Sequence, residues 1–322
     1  MSPGGAVPHP FRFSTAMPRL TGPVSAWRAD LRRIEDLGYW SVAISDHFTR
    51  GWVMEPVVTM TAAAAATSSL RILPLVLSND YRHPVLLHKA LATLDVLSGG
   101  RLEIGIGAGW MESDYEAANI PLDPPGVRVE RLAESVDVIK GLFGPESFSY
   151  HGKHYQINGL DGLPKPVQAP HPPLLIGGGG RRVLGLAGAV ADIVGINAAM
   201  RGANTIGLSL LDLTYERVAA KIAIAREAAR TAGRDPATLR FQTSVQSVDV
   251  TDVPGARPWV SSLATEVTDP AVLAASPAVL HGSVAFCVEM LQRRREELGL
   301  SYIHIGGDPA AAAPIVARLA GT

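Results

Sequence analysis

The chain predicts an α/β fold, a (β/α)₈ TIM barrel, on three observations. Short β-branched runs alternate with longer stretches of helical period. About eight strand-then-helix units fit in the 322 residues, the number such a barrel needs. One unit also echoes another: Glu35-Asp36-Leu37-Gly38 before Val42–Ser45 resembles Glu296-Glu297-Leu298-Gly299 before Tyr302–Ile305. An open doubly wound sheet shares the alternation but usually has fewer strands. A single domain over residues 1–322 is therefore expected.

The elements follow in order. Phe11–Ala16 reads as the first strand. Ser25 can cap a helix whose Trp27, Leu31, Ile34 and Leu37 share a face, and Gly38 ends it. A second strand, Val42–Ser45, stops at Asp46-His47. A helix over 55–67 leads to a strand over Leu70–Leu77. Pro84 opens a helix lined by Leu87, Leu91 and Leu94, and Gly99-Gly100 stop it. Arg101–Gly107 is the fourth strand, a polar loop is expected over Met111–Tyr115, and Val129, Leu132, Val136 and Ile139 mark the next helix. Leu174–Ile176, Asp192–Ile196, Phe241–Val248 and Tyr302–Ile305 complete the strands, with a helix over 284–298 before the last. Two long connections, 144–173 and 251–282, are insertions after strands 4 and 7; the first holds a hairpin near Tyr150–Tyr155.

Composition narrows the function. Hydrophobic residues are 47% and charged residues 18%, which excludes a disordered chain. With 29 basic and 30 acidic residues the net charge is −1, so neither nucleic acid nor a membrane surface is an expected partner. Cys287 is the single cysteine, excluding an intramolecular disulfide, and its place on a helical apolar stripe makes it core. The start of the chain has no basic stretch leading into an apolar run, so a cytoplasmic location is expected. The histidines form no His-Glu-x-x-His helix, and no metal site is expected. His83 and His88 read as capping or packing residues and His304 as barrel interior.

Three motifs carry chemistry. Gly105-Ile106-Gly107-Ala108-Gly109-Trp110 has Trp110 where a dinucleotide turn needs glycine, so it reads as a strand end that something approaches closely. Trp110 then either packs a tight turn or walls a ligand. Gly177–Gly180 followed by Arg181 and Arg182 comes after an apolar strand and opens a helix; free N–H groups beside arginines make an anion site. Asp46-His47 ends a strand, where barrel enzymes keep their chemistry. A neutral imidazole there moves a proton, or else satisfies backbone carbonyls.

Together these stretches resemble the luciferase-like monooxygenase superfamily, in its coenzyme F420-dependent oxidoreductase branch. The matching segments are 35–48, Tyr81-Arg82-His83-Pro84, 93–101, 105–110, 164–168 and 172–180 with Ala191-Asp192. The resemblance implies a luciferase-like barrel with a deazaflavin at its C-terminal mouth, Asp46 and His47 beside the ring, and His47 as proton donor or acceptor. It implies a bulge at Leu75-Val76, followed by Ser78 and Asn79, backing the ring. Gly178, Gly179, Gly180 and Arg181 would hold the cofactor phosphate, and Trp110 and Ser113 would border the ring. Trp52, Tyr81, Trp110 and Asn197 would line the substrate. The sugar-phosphate dehydrogenase branch has an acid in place of Trp110 and a lysine near Met200, which points away from glucose 6-phosphate here.

The resemblance thus implies hydride transfer between the deazaflavin and a small organic substrate, a homodimer, and an F420 or flavin reductase as partner. The alternatives are an FMN-dependent two-component monooxygenase and a catalytically silent cofactor-binding barrel.

Overall fold

The computed structural model describes residues 8–49, 51, 54–199, 210–261, 271 and 276–322. The first half of the chain runs Arg12–Ala16 (β1), Val24–Asp36 (α1), Ser41–Ile44 (β2), Pro56–Ala66 (α2), Arg71–Pro74 (β3), Leu77–Ser78 (β4) and Pro84–Leu97 (α3). Ile104–Gly107 (β5), Glu112–Ala118 (α4), Pro125–Phe143 (α5), Phe148–His151 (β6), Gln156–Leu160 (β7) and Leu174–Gly178 (β8) follow. Then come Arg181–Val190 (α6), Ile193–Ile196 (β9), Tyr215–Thr231 (α7), Arg240–Val245 (β10), Ser247–Val250 (β11), Trp259–Val260 (β12) and Val279–Gly282 (β13). Val284–Leu298 (α8), Leu300–Ile305 (β14) and Pro309–Leu319 (α9) close the chain.

Two compact units emerge: one holds Met1–Val42 and Gly178–Thr322, the other Ala43–Gly177. In the first, β14 lies between β1 and β10, and β10 pairs in turn with β9, all in parallel. Helix α1 buries Trp27, Leu31 and Ile34, the i, i+4, i+7 spacing that puts three apolar side chains on one stripe. Its first residue is Val24, and Pro23 precedes it without a side-chain cap, so Ser25 sits inside the helix rather than capping it. Gly38, at φ +81, takes the left-handed conformation that ends the helix. Helix α8 is bounded as its sequence dictates: Ser283 Oγ accepts from Phe286 N and Gly299 is left-handed.

A single strand over Phe241–Val248 is not formed. It divides at Gln246, whose N–H donates to Ala278 O at 2.6 Å. Beyond that point β11 leaves for a separate three-stranded sheet with β12 and β13. Strands β12 and β13 belong to the long insertion after the seventh strand position.

In the second unit β5 pairs in parallel with β4 and β8. The expected strand over Leu70–Leu77 is broken into β3 and β4 on either side of Leu75–Val76, the bulge position that the resemblance implies, where the peptide is cis. The fourth strand is shorter than expected, with Leu102 reduced to a bridge to Ile72. Helices α4 and α5 follow it, and the insertion over 144–173 holds the β6–β7 hairpin, under which Val138, Leu142, Tyr155 and Ile157 form a small core. The expected loop over Met111–Tyr115 is a helix, α4: Met111, Asp114 and Tyr115 are buried at helical spacing, and Asn119 caps it in the left-handed region. Among the described residues no helix is long and apolar enough to cross a membrane.

Candidate active site

The second unit builds its polar centre on the exit from β2. Asp46, the second residue past the strand, is 2% exposed. Its Oδ2 accepts from the Ser78 N–H at 3.0 Å and from Arg82 Nη1 at 2.6 Å, while Arg82 Nη2 reaches Oδ1 at 3.2 Å. A forked guanidinium on a carboxylate fixes orientation as well as charge. Arg82 also holds Glu55 at 2.7 Å, the residue that caps α2 through Val58 N. Asp46 therefore ties the segment after the cis peptide to the end of β2.

His47 is held by another acid. Its Nδ1 lies 2.7 Å from Asp114 Oδ2, and Asp114 has no exposed side-chain surface. Oδ2 also accepts from the Tyr81 hydroxyl at 3.3 Å. Oδ1 accepts from Phe48 N at 3.2 Å, Thr49 N at 2.9 Å and Thr49 Oγ1 at 2.6 Å. Burial works against the charged carboxyl, but the bonds from Thr49 and His47 outweigh it and hold Asp114 below its ordinary value. An ionised carboxylate only accepts, so the Nδ1 that faces it carries a proton, and a ring with a single proton then has its lone pair on Nε2. Thr49 Oγ1 spends its one hydrogen on Asp114, so Ser113 is the donor in the 2.9 Å pair with Thr49. Trp110 stands edge-on to the imidazole, ring centroids 5.6 Å apart.

Tyr81 packs on Phe48 and Tyr115, at 4.5 and 5.4 Å between ring centroids. Burial and the neighbouring Asp114 charge raise its pKa far above the ordinary phenol value, so it stays a donor. Tyr115 donates to Asp80 at 2.9 Å, and Arg131 holds the other Asp80 oxygen at 2.8 Å. The Asn79 amide is buried; neither its Oδ1 nor its Nδ2 makes a hydrogen bond of normal geometry, although the Tyr155 hydroxyl lies beside it.

The glycines of β5 serve the chain itself. A Cβ on Gly105 would stand 1.9 Å from Pro74 O, and one on Gly107 2.9 Å from Val76 Cγ2. Gly109, at φ +73, would drive a Cβ to 1.8 Å from the Tyr115 hydroxyl. The close approach expected at this motif is made by the Pro74–Val76 backbone and by Tyr115.

In the first unit, Gly177–Gly180 passes from β8 into α6. A Cβ on Gly179 would meet Asn197 O at 2.4 Å and Ala198 C at 2.3 Å, so that glycine is required by packing. Among the described residues nothing lies within 4 Å of a Cβ on Gly180, and no side chain caps the helix it begins. Arg181 and Arg182 are exposed in the first turn, the end of a helix where positive charge is disfavoured. Lys221, 6% exposed, donates to Gly179 O at 2.8 Å and to Asp212 Oδ2 at 2.7 Å, and Asp212 Oδ2 accepts from Ala199 N at 2.8 Å. This staple fixes the turn to the segment after β9. Asn197 N donates to Gly178 O at 3.1 Å, and its side chain is half-buried. Trp52 lies outside the described residues.

Adjacent in sequence, Asp46 and His47 take separate partners: the imidazole goes to Asp114, and Asp46 goes to Arg82 and Ser78. Asp114 was hidden by the loop expected over 111–115. Its signal was an acid at i+3 from Met111 beside Tyr115 at i+4, a polar residue on a buried helical face.

Polar residues gathered at strand ends are what a ligand-binding barrel presents at its mouth. The model of the luciferase-like monooxygenase family matches residues 9–248, and the chain belongs to that family. An FMNH(2)-dependent dimethylsulfone monooxygenase of Pseudomonas putida is 29% identical over 200 residues, 57% of this chain and 55% of the relative. The chain thus spans about half the length of that relative. Among solved structures, an F420-dependent secondary alcohol dehydrogenase, in complex with an F420-acetone adduct, superposes with a TM-score of 0.73 at 18% identity. It covers 97% of this chain and 98% of its own. The coenzyme F420-dependent tetrahydromethanopterin reductase of Methanopyrus kandleri gives 0.75 at 19%, covering 97% and 99%. The fold is accordingly the luciferase-like (β/α)₈ barrel.

Proposed function

We propose that the chain is a coenzyme F420-dependent oxidoreductase acting on a small organic substrate, with His47 moving the proton. The observation that carries the proposal is the His47–Asp114 pair, a histidine at a strand end whose tautomer is set by a buried carboxylate. When bound, F420 supplies a ring carbon that gives or takes hydride; that chemistry is the cofactor's, and the protein positions it. The residues fit such a group on two counts. Gly180 stands at an uncapped helix start flanked by two arginines, suited to a phosphate. Separately, Trp110 stands edge-on to His47, an aromatic wall suited to a flat ring.

The chain's own residues divide the work. Asp114 keeps the His47 proton on Nδ1, so that Nε2 accepts or returns the proton that balances hydride transfer. Asp46 and Arg82 hold Ser78 in place, and Tyr81 buttresses Asp114. An FMN-dependent monooxygenase is the second reading, favoured by the Pseudomonas putida relative. Parallel fluorescence titration of the protein with F420 and with FMN separates them. Tight F420 binding with weak FMN binding is expected; the reverse overturns the F420 reading in favour of the second.

A further inference from the structure

Strands β1, β10 and β14 carry a polar face that the proposed chemistry leaves unused. Their register sets Ser14 beside His304 and His304 beside Ser244; one row below stand Arg12, Tyr302 and Gln242. Residues two apart on a strand share a face, so both rows point the same way. The alternate positions are buried: Phe13, Ile303, Val245 and Ile305 are apolar, with Thr15 and Thr243 among them. The upper row lies next to the C-terminal ends of its strands, at Ala16, Val245 and Ile305, the end at which barrels bind ligands.

Within this face Ser14 Oγ is 3.0 Å from His304 Nδ1, and Gln242 Nε2 donates to Ser244 Oγ at 3.2 Å. Tyr302 is already committed, 2.6 Å from Ser41 Oγ, and the Arg12 guanidinium lies over the Trp40 ring, 4.1 Å from its centroid. Gln242 is fully buried, yet its Oε1 has no hydrogen-bond partner. Turning the amide end for end would only exchange an orphaned oxygen for an orphaned nitrogen. A buried amide oxygen left unmatched is costly, and a partner from outside the chain would recover that cost.

We infer that Ser14, His304, Ser244 and Gln242 form a binding site for the oxygen of a neutral small molecule, a hydroxyl or a carbonyl. His304 and Ser244 are only half-buried, so both border open space. Burial lowers the His304 pKa to about 4, which keeps the ring neutral at neutral pH. Because the Ser14 hydroxyl can either donate to or accept from Nδ1, the imidazole can present a donor to a carbonyl or a lone pair to a hydroxyl. The upper row holds no cation for a carboxylate and no anion for an amine. The inference is independent of the cofactor assignment.

The test is a titration of the full-length protein, its histidines ¹³C-labelled, without any added cofactor. The probes are cyclohexanol, cyclohexanone, methylcyclohexane and cyclohexanecarboxylate. The His304 Cε1–H signal is assigned by its loss in His304→Gln, or by its shift in Ser244→Ala should that variant not fold. Saturable movement of this signal with the alcohol and the ketone is expected, with little or none for the hydrocarbon and the carboxylate. Ser244→Ala should weaken the alcohol about threefold to tenfold, the effect of one neutral hydrogen bond. No movement with any probe would mean that the amide is met by water alone and would overturn the inference. Equal movement with methylcyclohexane would overturn it too, by showing an unspecific apolar cavity.

Discussion

Replacing Asp114 by asparagine should reverse the tautomer of His47. The amide keeps the shape of the side chain but offers one acceptor and one donor. Oδ1 of Asp114 serves Phe48 N, Thr49 N and Thr49 Oγ1, while Oδ2 serves His47 Nδ1 and Tyr81. An amide NH₂ turned toward the first set would face three donors, two of them backbone N–H groups that cannot reorient. Turned toward the second set it faces a hydroxyl that can rotate and an imidazole that can move its proton. The second orientation wins, and His47 must then accept at Nδ1 and carry its proton on Nε2. Hydrogen bonds to a charged group are worth about 1.5–3 kcal/mol each; the loss at Oδ2 should lower stability by about 2–4 kcal/mol. Removing a correctly protonated base should lower turnover by about 10²–10⁴-fold. Long-range ¹H–¹⁵N spectra of histidine-labelled protein distinguish the two tautomers directly, before any substrate is known. An unchanged Nδ1–H tautomer in Asp114→Asn would refute the assignment of the carboxylate as the group that sets it.

Further outcomes follow from the same geometry. Gly105→Ala should lose stability at the upper end of about 1–3 kcal/mol, because its Cβ would stand 1.9 Å from Pro74 O, whereas Gly180→Ala should melt like the parent; equal melting temperatures would contradict this. Lys221→Met should weaken cofactor binding in the fluorescence titration while leaving the His47 tautomer intact, since it releases Gly179 O and Asp212. His88 is 2% exposed and burial, followed by the charges of Lys165 and Lys89, lowers its pKa from 6.5 to about 4. The folded state then binds fewer protons than the unfolded chain between these values, so stability is full above pH 6.5 and falls as the pH drops toward 4. The loss amounts to about 3 kcal/mol, and His88→Leu should flatten that part of a chemical-denaturation pH series; an unaltered slope would exclude His88 as its source.

The fold was legible where local chemistry and packing agree. Trp27, Leu31 and Ile34 announce α1, Pro84 and the Gly99-Gly100 pair bound α3, and Ser283 and Gly299 bound α8. What escaped depends on partners far along the chain. The break of β10 from β11 at Gln246 is set by Ala278, whereas the irregularity at Leu75–Val76, where β3 parts from β4, was placed by the resemblance and not by the strand's own pattern. At the candidate site Asp46, His47 and the glycine turn stand out by residue type at strand ends. Asp114 did not, because a seven-residue helix gives little periodicity to read and its acid looks like loop surface.

The glycine-rich run of β5 shows why motif and role need separate arguments. Gly105, Gly107 and Gly109 look like a ligand turn, yet each lacks a Cβ because protein atoms stand there: Pro74 O, Val76 Cγ2 and the Tyr115 hydroxyl. The run lets β3 bend inward at Leu75–Val76, which in turn sets Ser78 N on Asp46 and brings Tyr81 to Asp114. Gly180 is the opposite case, a glycine with nothing among the described residues within 4 Å of a Cβ. Gly180 shares its lack of steric need with Gly22 and Gly185, so its candidacy rests instead on the uncapped helix start it precedes and the two arginines that follow.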